Sequence, residues 1–187
     1  AQAESAELLR LLGVISGDGA GHFSPNDQLT RAEVCAMAIG VRKETAQAEA
    51  MMNYTFFKDV RGDHWARGFI NYASRITVGD RGERLVSGVG DANFAPDRPI
   101  EFAEAVTMVV RLLGYSQKDI STGATWYSGY MAVGRAAGLL EGLDLAPEAY
   151  LTRGQAAVLF RNLLFADMKD AGKSFFATLG GTESGEV

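Results

Sequence analysis

The chain has 187 residues and a net charge of −5, with 47% apolar and 22% charged residues. These proportions are ordinary for a globular protein and exclude wholesale disorder. Its longest apolar runs are shorter than the ~18 residues that a membrane-spanning helix needs, so we predict no membrane insertion. A DNA-binding domain normally carries a clustered basic face. The sequence contains no such cluster, and we predict no nucleic-acid partner.

The first predicted element is a helix over residues 5–12. Gly13 follows it, at the place where a left-handed C-cap favours a residue without a Cβ. The next stretch, 17–21, is rich in glycine, but it lacks the Gly-Lys-Ser/Thr of a P-loop and the alternating oxygen ligands of a calcium loop. We therefore interpret this stretch and His22 as a turn between helices rather than as a phosphate or metal site.

A pattern then begins that recurs three times. Residues 23–33 read FSPNDQLTRAE, residues 94–104 read FAPDRPIEFAE, and residues 145–155 read LAPEAYLTRGQ. The first two share, without gaps, the pattern aromatic-x-Pro-x-x-x-aliphatic-x-x-Ala-Glu, and the third fits it with softer matches. Each copy leads into an apolar stretch that is compatible with a helix. Such recurrence indicates a repeat protein, in which each repeat is one supersecondary unit.

A second element recurs ahead of this pattern. Residues 65–70 read WARGFI and residues 126–131 read WYSGYM, and both lead into helix-compatible sequence. The middle repeat is about ten residues longer, and we place the extra residues in the polar, glycine-rich segment 77–88, as a surface loop. Together these elements predict an all-α fold of three helix-loop-helix repeats. We place the repeats at 1–50, 51–118 and 119–166, with a C-terminal extension or linker at 167–187.

Two of the three copies carry a helix-start signature. Thr30 with Glu33, and Thr152 with Gln155, have the capping-box spacing, in which the hydroxyl and the N3 side chain satisfy N–H groups at the helix start. The middle copy departs from this rule, because Glu101 stands where the hydroxyl belongs. The long helices are therefore predicted to begin directly after these positions.

Arg31 and Arg153 then occupy the first helical position. A cation there opposes the positive end of the helix dipole by a few tenths to ~1 kcal/mol, so something should compensate for it. One interpretation is that the guanidinium and the free N–H groups of the helix start together bind a carboxylate or phosphate. The other is a surface arginine paired with a nearby acid. Both interpretations remain open from the sequence.

The other candidate residues have simpler interpretations. The single cysteine, Cys35, lies in an apolar stretch and is predicted to be buried. His64 stands at a predicted helix start, where a polar cap is expected. Trp65 and Trp126 occupy equivalent repeat positions, and we expect most of each ring to be core, with an exposed edge available to a sugar. Because neither a nucleophile elbow nor a triad is indicated, we predict no enzyme activity, no catalytic residue, no metal and no cofactor.

The recurring segments resemble the S-layer homology domain. The resemblance rests on residues 57–59 (FKD), Trp65, residues 94–96 (FAP) and above all residues 29–33 (LTRAE), and it covers residues 3–166 as three repeats. It implies a pseudo-threefold helical domain around a central bundle. It also implies non-covalent anchoring of an exported bacterial protein to the cell wall, through a secondary cell-wall polysaccharide that carries ketal-linked pyruvate. The expected location is thus the cell surface, with a cargo domain outside this chain.

The resemblance also implies a set of ligand-binding residues in grooves between adjacent repeats. The arginine of the Thr-Arg-Ala-Glu motif is among the residues associated with binding, which points to Arg31 and Arg153. Asp59 comes from the Phe-x-Asp start, and Trp65 and Trp126 come from the helix that follows it. These five residues are the predicted site.

The middle repeat departs from the family pattern. Phe102 stands where arginine is expected, Glu101 replaces the threonine, and Arg98 in the loop is a candidate substitute. In the third repeat the motif reads Thr-Arg-Gly-Gln. One or two working grooves are therefore expected, with reduced avidity toward a repeating polymer.

Two other functions stay open at this point. A degenerate array could have lost glycan binding and serve as a protein-interaction or structural scaffold, which the missing arginine of the middle repeat favours. A hydrolase built into the array would need a deep cleft with convergent acids, and the sequence shows no sign of one.

Overall fold

The computed structural model describes residues 1–11, 13 and 24–180, so the predicted glycine turn at 17–21 and His22 lie outside the described residues. The described chain is mainly helical, which confirms the all-α prediction. Its helices are α1 (Gln2–Leu11), α2 (Arg31–Val41), α3 (Thr45–Glu49), α4 (Arg67–Ala73), α5 (Phe102–Leu112), α6 (Ser128–Ala136), α7 (Arg153–Phe165) and α8 (Phe175–Thr178). A 3₁₀ turn (Gln117–Asp119) and one hairpin, β1 (Thr77–Val78) with β2 (Glu83–Arg84), complete the described elements.

Capping boxes set the starts of α2 and α7, as predicted. Thr30 accepts the N–H of Glu33 at 3.1 Å, and Glu33 accepts the N–H of Thr30 at 2.9 Å. The same reciprocal pair joins Thr152 and Gln155, at 3.2 and 2.9 Å. These bonds satisfy helix-start donors that would otherwise lack partners.

Helix α5 has no hydroxyl side chain at its N-cap, and a glycine follows its C-terminal end as predicted. The N–H of Glu101 still donates to the side chain of Glu104 at 3.0 Å, so the capping role of the N3 acid is kept. Gly114 follows the helix with a φ of +99°, and Gly13 follows α1 with a φ of +71°. Glycine adopts this left-handed region without strain, so both residues act as the predicted C-caps.

The extra residues of the middle repeat form the short hairpin rather than an irregular loop. Its strands are antiparallel, with Thr77 opposite Arg84. Gly79 opens the turn with a φ of +69° and lies so close to Ser116 that an added Cβ would come within 2.5 Å of the serine Cβ. The insertion is therefore packed down onto the segment around the 3₁₀ turn.

Three backbone hydrogen bonds join the three copies of the repeated pattern in a closed ring. Leu29 N–H donates to the carbonyl of Leu151 at 2.8 Å, Leu151 donates to Ile100 at 3.0 Å, and Ile100 donates to Leu29 at 2.9 Å. These residues are the equivalent aliphatic positions of the three copies. Each copy is thus hydrogen-bonded to the next through the same position of the pattern, and the pseudo-threefold arrangement stays a prediction.

The first two N–H groups of each long helix are also used within this ring. They donate at 2.8–3.0 Å to the loop before the next long helix: Arg31 and Ala32 to Arg98 and Pro96, Phe102 and Ala103 to Ala149 and Pro147, Arg153 and Gly154 to Asp27 and Pro25. Helix-start donors normally need water, a cap or a ligand. Here backbone carbonyl groups of the neighbouring repeat accept these hydrogen bonds. The helix starts are therefore not open anion sites, which corrects that interpretation.

Helix packing also crosses the sequence repeats. Helix α4 packs on α2, α6 packs on α5, and α1 packs on α7. The first helix of each repeat therefore lies against the long helix of the preceding one, and α1 closes the circle by packing on the last. The shared core between them contains fully buried side chains from all three repeats, such as Ile39, Phe102 and Phe160. None of the described helices is long and apolar enough to cross a membrane.

The described C-terminal residues fold back onto the second repeat. Lys169 N–H donates to the carbonyl of Leu113 at 2.8 Å, and Phe175 N–H donates to that of Ala166 at 2.9 Å. The Phe175 ring is 4% exposed. Residues up to 180 are thus docked on the domain and include the short helix α8.

Candidate functional site

The ring leaves a cleft of about 400 Å³ beside the start of α2 and along α5. Its walls include loop residues 85–89, one face of α5 and the ring of Trp126. Three basic side chains and, among the described lining residues, a single acidic one lie on it: Arg31, Arg98, Arg111 and Glu104. We refer to it as the Arg31 cleft. It brings together two of the five predicted site residues, Arg31 and Trp126.

Arg31 forms the floor of this cleft and is almost completely enclosed. The residue is 5% exposed. Its Nε donates to the carbonyl of Phe94 at 3.0 Å, its Nη2 to the carbonyl of Ser87 at 2.8 Å, and its Nη1 to Glu104 Oε1 at 2.7 Å. The guanidinium also lies 4.6 Å from the centre of the Phe94 ring, a cation–π contact. Burial lowers the pKa of Arg31 from its usual value, and the charge of Glu104 opposes that shift.

The carboxylate that compensates for Arg31 therefore comes from the protein itself. The sequence left open whether this arginine pairs with a ligand anion or with a nearby acid. The structure supplies Glu104, which lies on the long helix of the next repeat. The interpretation that the arginine lies on the surface is wrong, because the Arg31–Glu104 pair is largely buried.

Arg98 stands at the rim of the same cleft. Its Nη2 donates to Glu104 Oε1 at 2.6 Å, the oxygen that Arg31 also uses. Its side chain is 44% exposed, against 6% for Arg31. From the sequence, Arg98 was a candidate substitute for the arginine missing at Phe102. The structure places it in the Arg31 cleft instead.

Arg111 was missed by the sequence analysis. It projects from α5, and its Nη1 donates to the carbonyl of Arg84 at 3.0 Å while its Nη2 contacts Tyr130 Oη at 3.2 Å. Its Nε is buried and has no hydrogen-bond partner among the described residues. A lone arginine inside the apolar stretch 105–113 was the available signal.

Asp59 holds the loop beneath the cleft. Its two carboxylate oxygens accept the N–H groups of Phe94 and Ala95, at 2.8 and 2.7 Å. Ala95 has a φ of +55°, a strained conformation for a residue with a Cβ. The carboxylate thus fixes the loop whose Phe94 ring supports Arg31.

Both tryptophans are more exposed than expected. Trp126 is 58% exposed and contacts Tyr127 edge-on, with ring centres 5.5 Å apart. Trp65 is 56% exposed and lies 6.3 Å from the Phe69 ring. The expectation that most of each ring is core is wrong, because both rings lie on the surface near the starts of their helices. Trp126 borders the Arg31 cleft, whereas Trp65 does not.

A second cleft, of about 440 Å³, lies where Phe102 replaces the arginine. We refer to it as the Phe102 cleft. Phe102 is 1% exposed and is part of the floor. Among the described residues that line this cleft, the charged ones are two acids and one arginine: Glu141, Asp144 and Arg135. The degenerate middle site stays a prediction, although these described residues include no motif arginine and carry no net positive charge.

The third equivalent position contains Arg153. Its N–H donates to the carbonyl of Asp27 at 2.8 Å, as the ring requires. The sequence segment that corresponds to residues 85–94 is 14–23, which lies outside the described residues. The groove expected at Arg153 therefore stays a prediction.

The remaining sequence candidates have structural contacts. His64 Nε2 lies 2.9 Å from Asp97 Oδ1, and His64 Nδ1 accepts the N–H of Ala66 at 3.1 Å. It therefore braces the turn before α4 rather than capping the helix, whose N-cap is Ala66. Cys35 is fully buried, and burial raises the pKa of its thiol to about 12. The described residues contain no group of three metal-ligating side chains.

Comparison with known families agrees with the motif analysis. The family model of the S-layer homology domain matches residues 6–35 and 118–157. The first region contains Arg31, and the second contains Trp126 and Arg153. The departures at Glu101 and Phe102 lie between the two matched regions.

Several curated proteins are similar to the chain. It is 32% identical over 144 residues to a surface layer protein of Brevibacillus choshinensis, covering 77% of this chain and 12% of that protein. It is 28% identical over 167 residues to the middle cell wall protein of Brevibacillus brevis (89% and 15%), and 26% identical over 166 residues to a cellulosome-anchoring protein of Acetivibrio thermocellus (80% and 35%). The chain thus spans only a minor part of each of these relatives.

Proposed function

We propose, since the chain belongs to the S-layer homology domain family, that it is a cell-wall anchoring module whose Arg31 cleft binds an acidic wall polysaccharide. The relatives are named as surface layer, cell wall and anchoring proteins, which supports a role at the bacterial cell surface. The glycan, its acidic group and the binding residues are part of the proposal.

The observation that carries the proposal is the composition of the Arg31 cleft. Three guanidinium groups lie on it and only one carboxylate among the described lining residues, in a chain whose overall net charge is negative. Guanidinium groups bind carboxylates through paired hydrogen bonds. A ketal-linked pyruvate presents such a carboxylate, so the cleft matches the ligand that the resemblance implies.

Apolar walls give the same cleft a surface for the sugar itself. Trp126 is 58% exposed and Val89 is 47% exposed, and both border the cleft. The apolar face of a pyranose ring packs on an aromatic side chain, and a large rigid ring loses little conformational entropy on contact. We assign Trp126 the sugar-facing role, with Arg31 and Asp59 shaping the cleft from below.

A second binding groove is proposed around Arg153 and Trp65. Arg153 occupies the same place in the hydrogen-bonded ring as Arg31. Two grooves on one chain would hold neighbouring units of a repeating polymer, and the second contact would then form at high effective concentration. The Phe102 cleft is proposed to bind no acidic sugar.

No catalytic role is proposed for the Arg31 cleft. Hydrolysis of a glycosidic bond generally needs two carboxyl groups on either side of the bond. Glu104 is the only carboxylate among the described lining residues, and two arginines already engage it. The arrangement therefore favours binding over hydrolysis, with no cofactor, and the cargo that it anchors would lie elsewhere in a longer protein.

Titration against purified wall polysaccharide tests the proposal. The protein should bind the pyruvylated polymer, and chemical removal of pyruvate should abolish most of the binding. Binding to neither form would overturn the proposal. It would favour the alternative function, a scaffold without glycan binding, for which the altered Phe102 cleft is the supporting observation.

A further inference from the structure

The arginines of the Arg31 cleft differ in how much of each guanidinium is available to a ligand. All three nitrogen atoms of Arg31 already donate to protein oxygens, at 2.7–3.0 Å. Its flat face lies against the Phe94 ring. Three of the five N–H donors of this guanidinium are therefore engaged by the protein, and breaking these bonds for a ligand would leave buried carbonyl groups without partners.

Arg98 presents the opposite situation. Its side chain is 44% exposed, and its one described hydrogen bond runs from Nη2 to Glu104. The Nε and Nη1 groups have no partner among the described residues. A guanidinium with free donors at the mouth of a cleft can form a two-pronged contact with a carboxylate while it keeps its internal bond.

The backbone of Arg98 is nevertheless firmly placed. Its N–H donates to the carbonyl of Ala95 at 3.2 Å, and its own carbonyl accepts the N–H of Arg31 at 3.0 Å. The side chain therefore starts from a fixed point on the hydrogen-bonded ring. A fixed origin reduces the entropy lost when the side chain is ordered by a ligand.

The charge balance around Glu104 leaves room for a second anion. One carboxylate oxygen is shared by Arg31 and Arg98, at 2.7 and 2.6 Å, while the other accepts the N–H of Glu101 at 3.0 Å. Two full positive charges thus share one negative charge, and Arg111 adds a third cation to the same cleft. Since opposite charges interact strongly at a partly desolvated site, the excess positive charge favours an incoming carboxylate.

From these contacts we infer that Arg98, which lies outside the Thr-Arg-Ala-Glu motif, makes the direct ion pair with the acidic group of the ligand. Arg31 is a positioning residue that holds Glu104 and the loop carbonyls in place. This inference rests on the proposed function, because it names the residue that determines specificity for acidic sugars in that same cleft.

The test compares two forms of the polymer on the same variants. The probes are pyruvylated wall polysaccharide and the same material after removal of pyruvate, and the quantity is the ratio of the two affinities. We expect a ratio of about 10 or more for the unaltered protein, as for one charge-assisted contact. In Arg98→Gln the ratio should fall to about 1–2, because the partner of the ligand carboxylate is gone.

Two further variants separate charge recognition from general effects. Arg135→Gln removes an exposed arginine from the Phe102 cleft and should leave the ratio unchanged. Arg31→Lys should lower the melting temperature, because a lysine cannot form the three hydrogen bonds that the guanidinium makes. Circular dichroism would establish that each variant is folded before its titration.

The outcomes distinguish the inference from the proposed function. If the unaltered protein binds neither form, the proposed function fails whatever Arg98 does. If it prefers the pyruvylated polymer and Arg98→Gln keeps the same preference, the inference about Arg98 is wrong. Loss of the preference in Arg135→Gln would likewise overturn it, since the ratio would then not report on the Arg31 cleft.

Discussion

The Arg31 cleft and the Phe102 cleft have the same backbone frame and different chemistry. In both, the first backbone N–H of a long helix donates to a carbonyl of the loop that precedes the next long helix. The distance between the two atoms is 3.0 Å for Arg31 and 2.8 Å for Phe102. Arg31 lies over Phe94, whereas Phe102 shares its cleft with Leu145, the residue that corresponds to Phe94. Of the lining residues that the structure describes, the first cleft has three arginines and one acid, and the second has one arginine and two acids.

The comparison also explains a second departure from the motif. Gln155 occupies the position in the third copy that Glu104 occupies in the second. Since Glu104 is the partner of Arg31, Phe102 and Gln155 stand at the two places where the corresponding ion pair would be. Removing one partner of a buried pair destabilises a fold by about 3–5 kcal/mol, whereas replacing both with suitable side chains can be neutral. We therefore interpret the two departures as one structural change.

Restoring only the arginine of the missing ion pair should have the largest effect on stability. Phe102→Arg places an uncompensated charge at a site that is 1% exposed, so the free energy of unfolding should fall by about 3–5 kcal/mol. Adding Gln155→Glu supplies the carboxylate and should recover a large part of that loss. Urea unfolding of both variants measures the difference. If the double variant is no more stable than the single one, the correspondence between the two clefts is wrong.

Removal of the intact arginine should have an effect of similar or slightly smaller size. Arg31→Met leaves Glu104 and the carbonyls of Ser87 and Phe94 without their donor, and we expect a loss of about 3–5 kcal/mol in unfolding free energy. The matched control is Arg135→Met in the Phe102 cleft, an exposed change that should stay within about 0.5 kcal/mol. Thermal and urea unfolding would measure both. A loss below about 1 kcal/mol for Arg31→Met would contradict the structural role assigned to it.

Asp59 should make a smaller contribution to stability. In Asp59→Asn one of the two acceptor oxygens becomes an NH₂ group that faces an N–H donor, which should reduce the free energy of unfolding by about 1–3 kcal/mol. Asp63→Asn is the control, because that side chain is 73% exposed and pairs only with the exposed Arg61 among the described residues. Equal stability of the two variants would show that the loop around Phe94 does not depend on Asp59.

The smallest expected effect concerns the tryptophans, which should change binding rather than stability. Trp126→Ala should weaken binding of a pyruvylated oligosaccharide roughly 3- to 10-fold, because an aromatic contact contributes about 0.5–1.5 kcal/mol. Trp65→Ala removes an equally exposed ring. Its effect on binding should be smaller, because the groove proposed around Trp65 contains Arg153, which has no ion pair with a described residue. Calorimetric titration compares them. A greater loss for Trp65→Ala would move the principal site to the Arg153 groove.

Much of the fold was predictable because its determinants are local. The capping boxes at Thr30 and Thr152 join residues three positions apart, and the glycine C-caps reflect backbone preferences of single residues. The hairpin within the segment 77–88 was not predicted, because its two strands have only two residues each. Strands that short carry no detectable alternation.

The site was predictable only in part, because burial changes what each side chain does. Arg31 was identified by its motif and Asp59 by the resemblance, yet both are engaged by the protein itself. Arg98 and Arg111 line the same cleft, although neither belongs to the recognised motif. The tryptophans were expected in the core and lie on the surface, since sequence gives a residue's repeat position but not the solvent exposure of its ring.

By itself the amino-acid sequence determined the threefold recurrence, the helix starts and stops, and the family. These follow from side-chain and backbone preferences within a few residues and from patterns that repeat along the chain. Only the tertiary structure decided which acid neutralises Arg31, since Glu104 lies 73 positions away, and which tryptophan shares its cleft. The physical reason is that each groove is assembled from different repeats. Its charge depends on contacts that exist only after the ring of hydrogen bonds has closed.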